Sequence, residues 1–268
     1  MGKILTASEI MDTAQALYDW LDGDSYPECR MACGRILQNN GDPESALEYA
    51  DLLSAADGRQ ELPARVGRFI IALYKTAIDL RESSAAMLNL GAFYYAGRCG
   101  EPDYDKAVKY YRMAAERGEI IALENLGYCC YHGRGVEVDY AEAYLCFSQA
   151  AMLGFPAALY KIGDMYRYGN YLPQRDEAAF AFYQRSLACL DDQNAGMAAG
   201  PLLLRLGDCY LSGIGIVPDA AQALECYQTA ERYLFGMIAA GENLYRGSLQ
   251  KAIDGQEAAR QVLREILG

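Results

Sequence analysis

Apolar residues recur three and four positions apart through nearly the whole chain, and valine, isoleucine and threonine never cluster in alternating runs. This periodicity predicts helices and no sheet. Ile10, Met11, Ala14, Leu17, Tyr18 and Leu21 form the first stripe, with Ser8 read as its cap and Asp22-Gly23-Asp24 as its end. Pro27 suits the first turn of a second helix that closes near Asn39-Asn40-Gly41. Pro43-Glu44 opens a third, carried by Ala46, Leu47, Ala50, Leu52 and Leu53 up to Asp57-Gly58. A fourth runs from about Ala64 to Leu80, and its Tyr74 and Ala77 echo a spacing that later becomes regular.

That regularity is set by four glycines, Gly91, Gly127, Gly163 and Gly207, at intervals of 36, 36 and 44 residues. An aliphatic residue precedes each one: Leu90, Leu126, Ile162 and Leu206. Six positions later stand Gly97, Gly133, Gly169 and Gly213; sixteen later, Ala107, Ala143, Ala179 and Ala223; twenty later, Tyr111, Phe147, Tyr183 and Tyr227. A period of this length is the mark of stacked helix pairs. The first glycine lets the two helices of a pair approach. The second ends the first helix in a left-handed turn. Asp103, Asp139 and Asp219 then cap the second helix. The alanine gives room for packing, and the aromatic is expected to fill the space between neighbouring pairs. The eight extra residues before the fourth repeat fall near Asp191–Gly200 and read as a loop. Beyond Ala230 the pattern fades into a helical stretch, Glu231–Arg246, and a last polar helix, Gln256–Leu267, suited to capping an array.

Composition narrows the partners. The net charge is -12, from 24 basic and 36 acidic side chains. No basic stripe is present to displace counterions from phosphates, so nucleic acid is not expected as a partner. No window has the roughly 20 apolar residues of a membrane span, and Ile4-Leu5 is too short for the apolar core of a leader. Nine cysteines are scattered without a C-x-x-C pair, and His132 is the one histidine, so no zinc framework can be assembled. Read as small apolar fillers, the cysteines point to a reducing, cytoplasmic setting.

The pattern A-x-x-x-L-G-x-x-Y-x-x-G-x-G-V, a capping acid, an aromatic pair, A-A and a late glycine resembles the Sel-1-like repeat, a relative of the tetratricopeptide repeat. The second repeat carries it through Ala122, Leu126, Gly127, Gly133, Gly135, Val136, Asp139, Ala143, Phe147, Ala150, Ala151 and Gly154. The first carries it through Ala86, Leu90, Gly91, Tyr94, Gly97, Lys106, Ala107, Tyr110, Tyr111, Ala114, Ala115 and Gly118. The third departs at Asn170-Tyr171 and Ser186-Leu187, and the fourth has Leu234 where the late glycine would stand. The resemblance implies an all-α, right-handed α-solenoid, a tetratricopeptide-like superhelix. It divides the chain into a degenerate N-terminal region (1–85), four repeats (86–121, 122–157, 158–200 and 201–232) and C-terminal capping helices (233–268). It also implies a scaffold or adaptor that binds other proteins. Secreted members often carry a disulfide in each repeat, in the columns held here by Cys129/Cys146 and Cys209/Cys226. The other repeats place Phe93/Tyr110 and Met165/Phe182 there, so these columns read as apolar core rather than as disulfides.

Candidate chemistry is sparse. A single histidine beside the Gly133-Arg134-Gly135 turn supports no Ser-His or Cys-His set, and the turn glycines lack the strand, lysine and hydroxyl of a phosphate loop. No enzyme, cofactor or metal is therefore expected. The other readings weighed are a hydrolase-like or small-ligand-binding protein, from labels given to cysteine-rich relatives, and a structural segment of a larger assembly. The stronger signal lies on the first helix of each repeat. Its core stripe sits at offsets -5, -1, +2 and +3 from the glycine, so at about 100° per residue offsets -3, +1 and +4 point the other way. Their occupants are Leu88, Ala92 and Tyr95; Glu124, Tyr128 and Tyr131; Tyr160, Asp164 and Arg167; Leu204, Asp208 and Leu211. A face that only meets water should be charged. This one is rich in tyrosine with a few acids, as interfaces are. Tyr95, Glu124, Tyr128, Tyr131, Tyr160, Asp164, Arg167 and Asp208 are the expected contacts in a concave, acidic groove for a basic or amphipathic peptide or protein.

Overall fold

The computed structural model describes residues 3–21, 23, 25–56, 61–191, 195–239 and 245–267. Among them the secondary structure is helical throughout: thirteen α-helices and one short 3₁₀ turn, with no strand. The chain divides into two compact units, Met1–Val138 and Asp139–Gly268.

The first unit holds α1 (Ala7–Trp20), α2 (Pro27–Gln38), a 3₁₀ turn (Pro43–Ser45), α3 (Ala46–Ala55), α4 (Ala64–Arg81), α5 (Ser84–Ala96), α6 (Tyr104–Ala115) and α7 (Ile120–His132). Consecutive helices pack against each other, and α3 also meets α5, two helices on, as stacked pairs require. The cap of α1 is Thr6, not Ser8. The Thr6 hydroxyl accepts from the Glu9 amide and the Glu9 carboxylate accepts from the Thr6 amide, closing a capping box two residues before Ser8. The expected end signals at Asp22, Asp24 and Asp57-Gly58 lie outside the described residues. One continuous core runs from Ile10 through Cys33, Leu53 and Leu73 to Leu90.

The second unit holds α8 (Tyr140–Met152), α9 (Pro156–Tyr168), α10 (Asp176–Ala188), α11 (Ala195–Ser212), α12 (Ala220–Ala239) and α13 (Arg246–Leu267). Here α9, α11 and α13 are successive neighbours, with α10 and α12 packed behind them. Two sequence expectations are corrected. The insertion before the fourth repeat is largely helix, not loop: Ala195–Gly200 forms the first turns of α11, with Ala198, Ala199 and Gly200 buried, and Gly200 lies flush on Leu234 of α12. Burial of Ala198 and Ala199 in the core of this unit explains this, outweighing the low helix propensity of Gly196 and Gly200. The terminal helix begins at Arg246 rather than Gln256, because Ala252, Gly255 and Ala259 form a small-residue stripe against the preceding pair, with buried Gln256 donating to Glu231 of α12 beside it.

The repeat columns have the local causes their residue types imply. Gly97, Gly133, Gly169 and Gly213 all take left-handed φ values between 62° and 70° at the ends of their helices. Asp103, Asp139 and Asp219 accept from the Lys106, Glu142 and Gln222 amides at 3.0, 2.9 and 3.0 Å. The third repeat has Arg175 in that column and no side-chain cap, but Asp176 and Glu177 in the first turn of α10 face the helix dipole favourably. The column aromatic packs within its own pair, and Tyr227 also reaches the next element, since a Cβ on Gly255 of α13 would lie 2.6 Å from its ring. Within its own pair, a Cβ on Gly91 would lie 2.7 Å from the Tyr111 ring, one on Gly163 2.5 Å from Tyr183, and one on Gly207 2.7 Å from Tyr227. Each tyrosine is laid flat over the glycine that makes room for it.

Candidate functional site

The first-helix faces can be followed separately in each unit. In the first unit Tyr95 of α5 and Tyr128 of α7 meet around Arg134, the residue between the two turn glycines that follow α7. The Arg134 guanidinium donates to the Tyr95 hydroxyl. It also lies 5.4, 5.7 and 5.2 Å from the ring centres of Tyr95, Tyr104 and Tyr128, within cation–π range. Tyr95 and Tyr104 pack edge to face at 5.1 Å. Burial pushes the Tyr95 phenol up to about 12, against the pull of the Arg134 charge. Tyr95, Glu124, Tyr128 and Tyr131 are all half-buried, so each keeps part of its surface open. His132 is exposed and lies 4.3 and 4.9 Å from the rings of Tyr128 and Tyr131, beside the same face.

In the second unit the predicted residues are drawn inward. Tyr160 and Asp164 are buried, at 8% and 4% exposure, so neither presents free surface to a partner. Asp164 accepts from the Tyr183 hydroxyl at 2.8 Å and from Arg205 Nε and Nη2 at 2.6 and 2.7 Å. Arg205 also donates to the Pro201 carbonyl at 2.7 Å and stacks on Tyr160 at 4.5 Å. One repeat on, Asp208 accepts from the Tyr227 hydroxyl at 2.8 Å and from Arg167 at 3.3 Å. The two ion pairs run in opposite directions between α9 and α11. An arginine of each helix therefore reaches a carboxylate of the other. Burial drives the Tyr183 and Tyr227 phenols far up, and the Asp164 and Asp208 carboxylates push the same way. Arg167 and Asp208 are half-buried and remain partly accessible.

Arg134, Arg205 and Tyr104 are the residues the sequence reading missed. The signal for Arg205 was present: it stands 41 residues from Asp164, close to one repeat period once the insertion is counted. The nine cysteines are free thiols, and burial pushes Cys33 and Cys209 up to about 12 and Cys129 and Cys226 up to about 11. Among the described residues no group of histidine, cysteine and carboxylate side chains is arranged to hold a metal ion, and no helix is long and apolar enough to cross a membrane.

The Sel1 repeat model matches residues 84–119, 120–155, 156–189 and 202–232, just over half of the chain. No curated protein matches. Among solved structures, a Sel1 repeat protein from Oxalobacter formigenes is 25% identical over 94% of this chain and 99% of its own, with a TM-score of 0.60. A protective antigen present in uropathogenic Escherichia coli strains, displaying an SLR fold, is 21% identical with a TM-score of 0.57. The alignment with it covers 96% of this chain but only 54% of the antigen. The four matched repeats, with helix pairs closed over the column glycines, make this chain a member of the Sel1 repeat family.

Proposed function

We propose that this chain is a non-catalytic adaptor that binds a basic or amphipathic segment of another protein on the first-helix faces of its repeats. Proteins built from Sel1 repeats generally mediate protein–protein interactions. The observation that carries the reading is the half-buried tyrosine set of α5 and α7, clamped by Arg134. A rigid aromatic surface with polar tips offers contact area at little entropic cost. Glu124 beside it, and the overall charge of -12, favour a cationic partner. In this reading Tyr128, Tyr131, Glu124 and Tyr95 touch the partner in the first unit, and Arg167 and Asp208 in the second. Tyr160 and Asp164 shape the face from beneath. The free thiols favour a reducing compartment.

A photo-crosslinking residue placed at Tyr131 and, separately, at Gln261 on the exposed side of α13 tests this in the native cell. The expected outcome is a discrete protein adduct from position 131 that is absent from 261, and that is lost when Tyr128→Ala is added. Equal adducts from both positions, or an adduct at 131 that survives Tyr128→Ala in a folded protein, would sink the assignment.

A further inference from the structure

We propose that a cleft in the first unit, between α3, the end of α4 and the start of α5, is a second docking site, separate from the tyrosine face. Its occupant is an extended segment of a partner protein that places a leucine-sized side chain next to a lysine or arginine. The cleft is an open groove of about 900 Å³, within the range of roughly 300–1,000 Å³ typical of binding sites. Leu47, Leu52, Ala77 and Leu80 give it an apolar floor, and Glu44, Glu48, Asp51 and Glu82 stand around them with Arg81 as the one cation in the lining. An apolar floor favours burial of a hydrocarbon side chain. A rim of four carboxylates rejects anions and attracts a cation, and the two together select a basic amphipathic segment.

The rim is incompletely neutralised. Arg81 pairs with Glu44, and Asp51 accepts from Tyr74 and Asn89, both at 2.8 Å. Glu82 meets Arg117 only at 3.6 Å while 81% exposed, and Glu48 is exposed with no ion pair among the described residues. The walls are built, not frayed. Glu82 takes a left-handed turn (φ 49°) whose amide donates to Ile78 at 2.9 Å, and the Ser83 hydroxyl caps α5 through the Ala86 amide at 3.1 Å. The chain thus satisfies its own backbone there, and the exposed carboxylates of Glu48 and Glu82 face outward for a partner.

The probe is a short synthetic peptide of alternating leucine and lysine with a terminal nitroxide, titrated into the isotope-labelled full chain. The expected result is selective broadening of amide signals over residues 44–52 and 80–85. Glu48→Lys should weaken binding by about threefold to tenfold, as reversal of one exposed rim charge implies. Glu265→Lys on α13, with the same change in net charge, should leave it unaltered, as should Tyr128→Ala. Broadening confined to the first-helix faces, equal losses for Glu48→Lys and Glu265→Lys, or loss of cleft broadening in Tyr128→Ala would overturn the proposal.

Discussion

The Arg205–Asp164 pair makes a sharp test of whether these residues hold the repeats together. Asp164 is 4% exposed and its carboxylate is saturated by Arg205 and Tyr183. Arg205→Met keeps an unbranched apolar stem but removes the guanidinium and its charge, leaving a buried carboxylate with one neutral donor. Stranding one member of a buried pair costs about 3–5 kcal/mol. The Arg205 side chain is 23% exposed, so water can reach part of the space it leaves, which favours the lower end, about 3 kcal/mol. Asp164→Leu alone strands the arginine, which can turn towards solvent, and should cost less. The double variant removes both charges and should recover most of the loss, since apolar replacement of a buried pair is often close to neutral. Urea unfolding followed by circular dichroism, assembled as a double-mutant cycle, reads the coupling directly. A coupling of about 2 kcal/mol is expected. A single-variant loss under about 1 kcal/mol with additive effects would refute the reasoning and return Asp164 to the surface role its position in sequence suggested.

Gly207→Ala places a Cβ 2.7 Å from the Tyr227 ring. The steric cost of about 1–3 kcal/mol should exceed the gain of about 1 kcal/mol in helix propensity, so thermal unfolding should shift downwards. The Glu9 carboxylate is held at about 2 by hydrogen bonds from Lys3 and the Thr6 amide. Because its folded value lies below the ordinary 4.5, its contribution to the start of α1 is complete above that pH and is lost as pH falls towards 2. The Glu9 side-chain NMR titration should therefore show its midpoint near 2, and a midpoint near 4.5 would deny the capping box. Native labelling with iodoacetamide at mildly alkaline pH should be confined to half-buried Cys99, Cys189 and Cys226, with the six buried thiols reacting only after unfolding. Rapid labelling of Cys129 in the folded chain would contradict its burial.

The repeat architecture was legible because its causes are local. A glycine that must take a left-handed turn, an aspartate immediately before a helix and an aromatic twenty residues beyond a glycine each need only their own repeat to be recognised. The candidate site was legible in part. The face of Tyr128 and Tyr131 follows from helical phase alone. The inward turn of Tyr160 and Asp164 depends on Arg205 arriving from another repeat, a distance that phase does not encode. The same limit explains the insertion: glycine and polar residues around Asn194-Ala195-Gly196 read as loop, while the burial of Ala198 and Ala199 against α12 makes the segment from Ala195 helical. Thr6 was overlooked for Ser8 because both hydroxyls precede the same stripe, and only Thr6 has Glu9 three residues on.

The fourth helix pair is longer than the third, with 18 and 20 residues against 13 and 13. At about 1.5 Å per residue, α11 exceeds α9 by some 7 Å and α12 exceeds α10 by about 10 Å. The extra turns set the fourth pair apart from the third within the second unit. For the partner proposed above, they would offer a contact that the third pair lacks, and so would favour one register over a shift by one repeat.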